Sequence, residues 1–137
     1  MAIGYSTDVR NDRLTVVAEA IDAGGAAGKL NIYTGTQPSA SGGALSDNTL
    51  LVQILFSSPP QASVAGGVLI LDTIAQVAAI NTGTATWARA TDSDGVFVFD
   101  STVSAAGGGG DLILNTTSIT TGVPVEVLTG TLTEGNE

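Results

Sequence analysis

The chain has 137 residues, 13 of them acidic and 4 basic, with no histidine, no cysteine and a formal net charge of −9. That charge repels nucleic-acid phosphates and anionic lipid. The missing residue types remove disulfides, thiolate metal sites and most routes to acid–base or nucleophilic catalysis at neutral pH. The 43% hydrophobic content includes only three Phe, two Tyr and one Trp, which predicts one domain with a thin core that partner contacts would supplement.

Residues 1–10 are polar and hold no apolar block of the length a secretory leader needs, and the apolar stretches 50–56 and 64–80 are broken by Gln53, Gly66, Gly67, Asp72 and Gln76. A soluble protein made in the cytoplasm is expected. Leu14, Val17, Ala18 and Ile21 then fall at helical spacing, with Asn11 or Asp12 as N-cap and Gly24-Gly25 as the stop. This predicts the one substantial helix, able to lie on a sheet or against a partner.

From Lys29 onward the period becomes two. Candidate strands cover 30–34, 50–57, 68–72, 75–80, 84–91, 96–103, 111–115 and 123–133, of which 75–80 also fits a helical turn. The breaks at 35–47, 58–67 and 105–110 are long and rich in small residues, and the first is long enough to suggest a contact loop. The expected architecture is an N-terminal arm and helix over 1–28, then a single domain over 29–137. Its class is mainly β, an antiparallel, jelly-roll-like β-sandwich with one short N-terminal helix.

The clearest local structure is the hairpin around Asp92-Ser93-Asp94-Gly95. A type I′ turn at Asp94-Gly95 would set Arg89 directly opposite Asp100. A four-residue loop would make the two diagonal neighbours, and both registers would place Trp87, Arg89, Val96, Val98 and Asp100 on one face, with Ala88, Ala90, Phe97 and Phe99 on the other. Large apolar groups on both faces predict that the hairpin is covered from both sides.

Motifs with chemical potential are few. Asp92-Ser93-Asp94-Gly95 starts like a calcium loop, but Val96 and Val103 occupy later ligand positions, so a turn is the better reading. Glu126 sits between Val125 and Val127 as a solvated strand residue, and Lys29 lacks a nucleophile partner motif. Gly107 to Gly110 lacks the residues that follow in a phosphate loop and reads as a flexible hairpin loop. No catalytic residue, cofactor or metal is expected. The candidates for partner contact are Arg10 and Arg13, able to steer the helix to an acidic surface, together with Leu14, Trp87 and Arg89. Trp87 and Tyr33 are also the residues a glycan would stack on.

Three stretches carry a family resemblance: Leu30-Asn31-Ile32-Tyr33-Thr34-Gly35 with Gln37-Pro38; Gly83-Thr84-Ala85-Thr86-Trp87-Ala88-Arg89 with Asp92-Ser93-Asp94-Gly95; and Asp111-Leu112-Ile113-Leu114-Asn115 leading to Gly122 and Val125. Across most of 10–134 the pattern resembles small structural proteins of tailed bacteriophages, either capsid decoration (cement) proteins or tail accessory proteins. The resemblance implies a non-enzymatic virion protein on the outer surface of the capsid. Its partners would be the major capsid protein and itself, as a dimer or trimer. A tail or baseplate component and a carbohydrate-binding module are the rival expectations. Deleting residues 1–25 is expected to weaken attachment.

Overall fold

The computed structural model describes residues 3–134; the ends of the expected arm and domain, 1–2 and 135–137, lie outside them. Helix α1 spans Thr7–Ile21 and begins earlier than an Asn11 or Asp12 cap would allow. Ser6 is the N-cap, its hydroxyl oxygen accepting from the Val9 N–H at 3.3 Å, and Asp8 complements the positive end of the helix dipole. Asn11 serves a tertiary contact, accepting from the Gly67 N–H at 2.9 Å. The predicted stripe is the buried one: Leu14, Ala18 and Ile21 are enclosed, Val17 is half-buried and Val16 faces solvent. Burying Leu14 and Ile21 stabilises this contact by about 1.5–3 kcal/mol each.

The strands are β1 (Lys29–Tyr33), β2 (Leu50–Leu55), β3 (Gln61–Ala65), β4 (Val68–Leu71), β5 (Val77–Ala78), β6 (Gly83–Thr84), β7 (Trp87–Thr91), β8 (Phe97–Ala105), β9 (Leu112–Leu114), β10 (Ser118–Ile119), β11 (Pro124–Val125) and β12 (Val127–Thr133). Eight form one sheet in the order β2-β1-β7-β8-β9-β12-β4-β3, with β6–β10 and β5–β11 as two small ribbons. The large sheet curls around a single apolar cluster, and α1 packs on β3, β4 and β8. This is the expected mainly-β, sandwich-like fold with one N-terminal helix.

Several strand expectations change: 123–133 divides into β11 and β12, and β10 falls outside every candidate. The segment 58–67, read as a break, contains β3, which pairs with β4 through a tight Gly66-Gly67 turn. Its small residues conceal the strand because only Val64 brings appreciable apolar bulk. The candidate 75–80 contracts to β5, and 84–91 divides into β6 and β7 because Ala85 and Thr86 direct their N–H groups to different partners, Thr117 and Tyr33.

The tetraglycine does not close an antiparallel hairpin. β8 and β9 run parallel, Val103 beside Leu112 and Ala105 beside Leu114, although parallel neighbours ordinarily need a long crossover. Here the chain doubles back onto β8 itself: the Gly110 N–H donates to Ser104 Oγ at 2.9 Å, and a Cβ on Gly110 would stand 2.8 Å from the Ser104 backbone nitrogen. Only glycine tolerates that approach. Gly110→Ala is expected to cost about 1–3 kcal/mol of stability, read as a lower urea midpoint; an unchanged midpoint would show that the return is loose.

The Asp92–Gly95 turn also differs from the type I′ expectation. Among the described residues none other than glycine has positive φ, and Gly95 sits at φ +91°. Asp92 Oδ1 accepts from the N–H groups of Asp94 and Val96, both at 2.9 Å, so its carboxylate holds the turn. The Arg89–Asp100 pairing survives because a bulge restores the register, Thr91 facing Phe97 while Ala90 faces Phe99. The same bulge exchanges two side chains relative to the expectation. Phe97 lies on the Arg89 side, and Val98 packs with Phe99 against the core.

Candidate functional site

The register of β1, β7 and β8 assembles the most elaborate side-chain cluster of the molecule. Tyr33 lies directly opposite Trp87, and their rings stack at 4.8 Å between centroids with a 20° interplanar angle. In the next row Gln53, Asn31, Arg89 and Asp100 face one another across four strands. Gln53 Nε2 donates to Asn31 Oδ1 at 2.7 Å, which satisfies a buried amide oxygen. Arg89 closes the cluster with a fork on Asp100, Nε to Oδ1 at 2.7 Å and Nη2 to Oδ2 at 2.9 Å. Its guanidinium lies 5.3 Å from the ring centroids of both Trp87 and Phe97.

This outer face is roofed by the segment 34–49, which includes the expected contact loop. Arg89 Nη2 donates to the Gly43 carbonyl at 3.0 Å, and the Gly42 N–H donates to Asp100 Oδ2 at 3.2 Å. Trp87 Nε1 donates to the Thr34 carbonyl at 3.2 Å, Thr86 Oγ1 to the Gly35 carbonyl at 2.6 Å, and Asn48 Nδ2 to the carbonyls of Thr34 and Thr36 at 2.8 and 3.0 Å. Gly42, at φ +71°, lies against the Phe97 ring, where an added Cβ would come within 3.1 Å. The two-sided coverage expected of the hairpin is therefore met within the chain, by the core on one side and by this loop on the other.

The ion pair and the aromatic stack shape the titration of the cluster. The hydrogen bond to Asp100 raises the Arg89 pKa, outweighing the opposing effect of burial. Burial raises the Tyr33 pKa above its ordinary 10.0; Arg89 opposes that rise and Asp100 adds to it. Because the folded value is the higher one, the Tyr33 contribution to stability is fully present below pH 10 and is lost as pH rises through the folded pKa. In a Tyr5→Phe variant, which isolates Tyr33, phenolate absorbance is expected to appear with a midpoint above 10. A midpoint at or below 10 would mean that the stack is open to water.

Of the residues singled out from sequence, Trp87 and Arg89 come together here, and Trp87 is only 1% exposed. Leu14 belongs to the core and is only 3% exposed. Arg10 stacks over the Gly67 turn and donates to Thr7 Oγ1 at 3.3 Å. Arg13 pairs with Glu134 at 2.7 Å and covers the Tyr5 ring at 4.9 Å. Both arginines thus tie α1 to its own chain. The Arg89–Asp100 pair was legible from hairpin spacing. The Tyr33–Trp87 stack was not, because no local pattern links residues that meet only when β1 and β7 pair.

A cleft of about 300 Å³ lies between α1 and the diverging β8 and β12 strands, its walls including Leu14, Val17, Phe99 and Leu132. Its carboxylates are already engaged: Asp100 with Arg89, Glu134 with Arg13, and Asp111 accepting from Thr102 Oγ1 at 3.1 Å. Among the described residues no group of three or more carboxylates could hold a metal ion, and no helix is long and apolar enough to cross a membrane. Comparison of the chain with protein-family models, curated proteins and solved structures finds no match.

Proposed function

We propose that this chain is a non-enzymatic structural protein of a tailed-phage virion, a decoration protein that seats on the outer surface of the head and bridges coat subunits. The observation that carries this reading is the roofing loop: it is the longest break in the chain, yet it is held by side-chain hydrogen bonds from Arg89, Trp87, Thr86 and Asn48. A pre-ordered loop loses little entropy on docking, which is what repeated weak contacts on a lattice require. Leu45 in the loop and Phe97, which packs against its Gly42, are 43% and 37% exposed, giving it apolar contact area. The resemblance in the β1 and β7 segments supports the same reading, because those strands build the platform under the loop. The internal stack leaves Trp87 no free face for a sugar. Binding by the assembled shell alone would stabilise that state by mass action.

The test is the copy number of this chain in purified particles, measured by quantitative mass spectrometry against the major coat protein. A simple fraction of the coat number is expected. A far smaller number would move the protein to the tail or a vertex, and absence from particles would overturn the virion reading. Truncation of 1–25 is a poor test of attachment, because it strips Leu14, Ala18 and Ile21 from the core. Leu45→Asp tests the loop without touching the core.

A further inference from the structure

The large sheet opens in its middle. Strand β9 spans only Leu112–Leu114 and separates β8 from β12 along part of their length. It pairs with β8 from Val103 onward and with β12 up to Gly130, with one further bond from the Thr131 N–H to the Asp111 carbonyl at 3.5 Å. On the other side of Asp111 the chain leaves the sheet, because Gly110 turns back onto Ser104. Residues 99–101 of β8 and 131–133 of β12 therefore face each other across the cleft described above, with no strand between them.

Backbone phase fixes which groups enter the cleft. The Val103 N–H donates to the Thr86 carbonyl at 3.3 Å, so Ser101 and Phe99 also turn their backbone groups to β7, and Asp100 turns its N–H and C=O to the cleft. The Glu134 N–H donates to the Gly67 carbonyl at 2.9 Å, so Leu132 faces β4 and Thr133 faces the cleft. Continued back from Leu112, the two β9 registers converge, placing Asp100 and Thr133 on either side of one strand position. The inner wall holds Leu14, Val17, Phe99 and Leu132 together with Ser101, which is 4% exposed and whose Oγ has no hydrogen-bond partner.

We propose that this cleft takes the N-terminal end of an extended segment of another polypeptide, inserted as an additional strand between β8 and β12 with its free amine against Asp111. The backbone groups of Asp100 and Thr133 select a peptide, which offers N–H and C=O to both neighbours at once. Asp111 selects a chain end. It occupies the strand position where β9 begins, its N–H donating to Thr102 Oγ1 at 3.2 Å, so an inserted strand terminates there. Charge selects the amine over the carboxylate. The exposed Asp111 accepts from the Thr102 hydroxyl and pairs with no Lys or Arg among the described residues, in a chain of net charge −9. The inserted strand then runs antiparallel to β8 and parallel to β12. Its second residue exchanges backbone bonds with Asp100, and its first and third bond to Thr133. The first and third side chains point inward, the first beside Ser101 and Leu132, the third beside Phe99. A Ser or Thr in first place gives the Ser101 hydroxyl its partner, and an apolar residue in third place covers Phe99 and Val17. This inference is independent of the virion reading, since no particle enters its test.

The test is titration of the full chain with a free-amine peptide of about six residues, Thr-Lys-Val-Thr-Val-Lys with an amidated C-terminus, followed by heteronuclear NMR and amide hydrogen exchange. Binding is expected below about 1 mM, with exchange of the Asp100 and Thr133 amides slowing. N-acetylation of the peptide, or Asp111→Asn, which keeps an oxygen for Thr102, is expected to weaken binding about tenfold or more. Asp94→Asn removes the same charge at an exposed turn and is expected to leave binding unchanged. No binding, equal affinity for the acetylated peptide, equal effects of the two Asn variants, or unslowed exchange at Asp100 and Thr133 would each overturn the proposal. Association of the chain with itself that Asp111→Asn abolishes would also overturn it, assigning the cleft to a second copy.

Discussion

Replacing Arg89 by methionine is expected to destabilise the fold by about 3–5 kcal/mol, a fifth or more of the ~5–15 kcal/mol typical of a domain. The effect comes less from the lost attraction than from the group left behind. The Asp100 side chain is 2% exposed, and without Arg89 it retains the Gly42 N–H at 3.2 Å and no cation. A buried carboxylate in that condition faces its full desolvation cost. The loop also loses its anchor at Gly43. Two measurements check this: a urea titration followed by circular dichroism, and limited proteolysis within 36–47, where cleavage is expected to accelerate. Asp100→Asn, which keeps a side-chain oxygen for Arg89, is expected to cost less. The double variant Arg89→Met with Asp100→Leu is expected to recover most of the global stability, since replacing both partners with apolar groups is near neutral, while the loop stays susceptible. An unchanged midpoint for Arg89→Met alone would mean that water screens the pair.

Trp87→Ala is expected to have a comparable effect, about 3–5 kcal/mol. Trp87 is the largest fully buried side chain and supplies one member of the stack, one wall of the Arg89 site and the donor to Thr34. Trp87→Phe separates these contributions, because it retains a ring against Tyr33 and removes the indole N–H. The Thr34 carbonyl still accepts from Asn48 Nδ2 at 2.8 Å, so this variant is expected to cost only about 0.5–1.5 kcal/mol beyond the change in packing. Circular dichroism is the readout, since the change removes the only tryptophan. Equal losses for Phe and Ala would assign the stability to the hydrogen bond and not to the stack.

Both variants act on a cluster that was half visible in the sequence. Arg89 and Asp100 lie eleven residues apart around a turn-forming tetrapeptide, so local geometry joins them even though the turn type and the bulge differ from expectation. Tyr33 and Trp87 are joined only by the pairing of β1 with β7, and residues 34–49 cover them only because Arg89 and Trp87 point donors at their carbonyls. A Gly- and Ser-rich loop announces freedom, and its order comes from groups far away in the chain.

The sequence by itself determined the mainly-β character, the helix stripe of Leu14, Ala18 and Ile21, most strand positions and the Arg89–Asp100 register, because these follow from periodicity and turn chemistry within a few residues. Tertiary structure alone decided the sheet order, the parallel β8–β9 pair, the strand identity of β3 and the faces of Phe97 and Val98. The physical reason is that a strand satisfies only half of its backbone hydrogen bonds with each neighbour, and the neighbour is chosen by which edges and apolar faces remain free once distant segments have collapsed together.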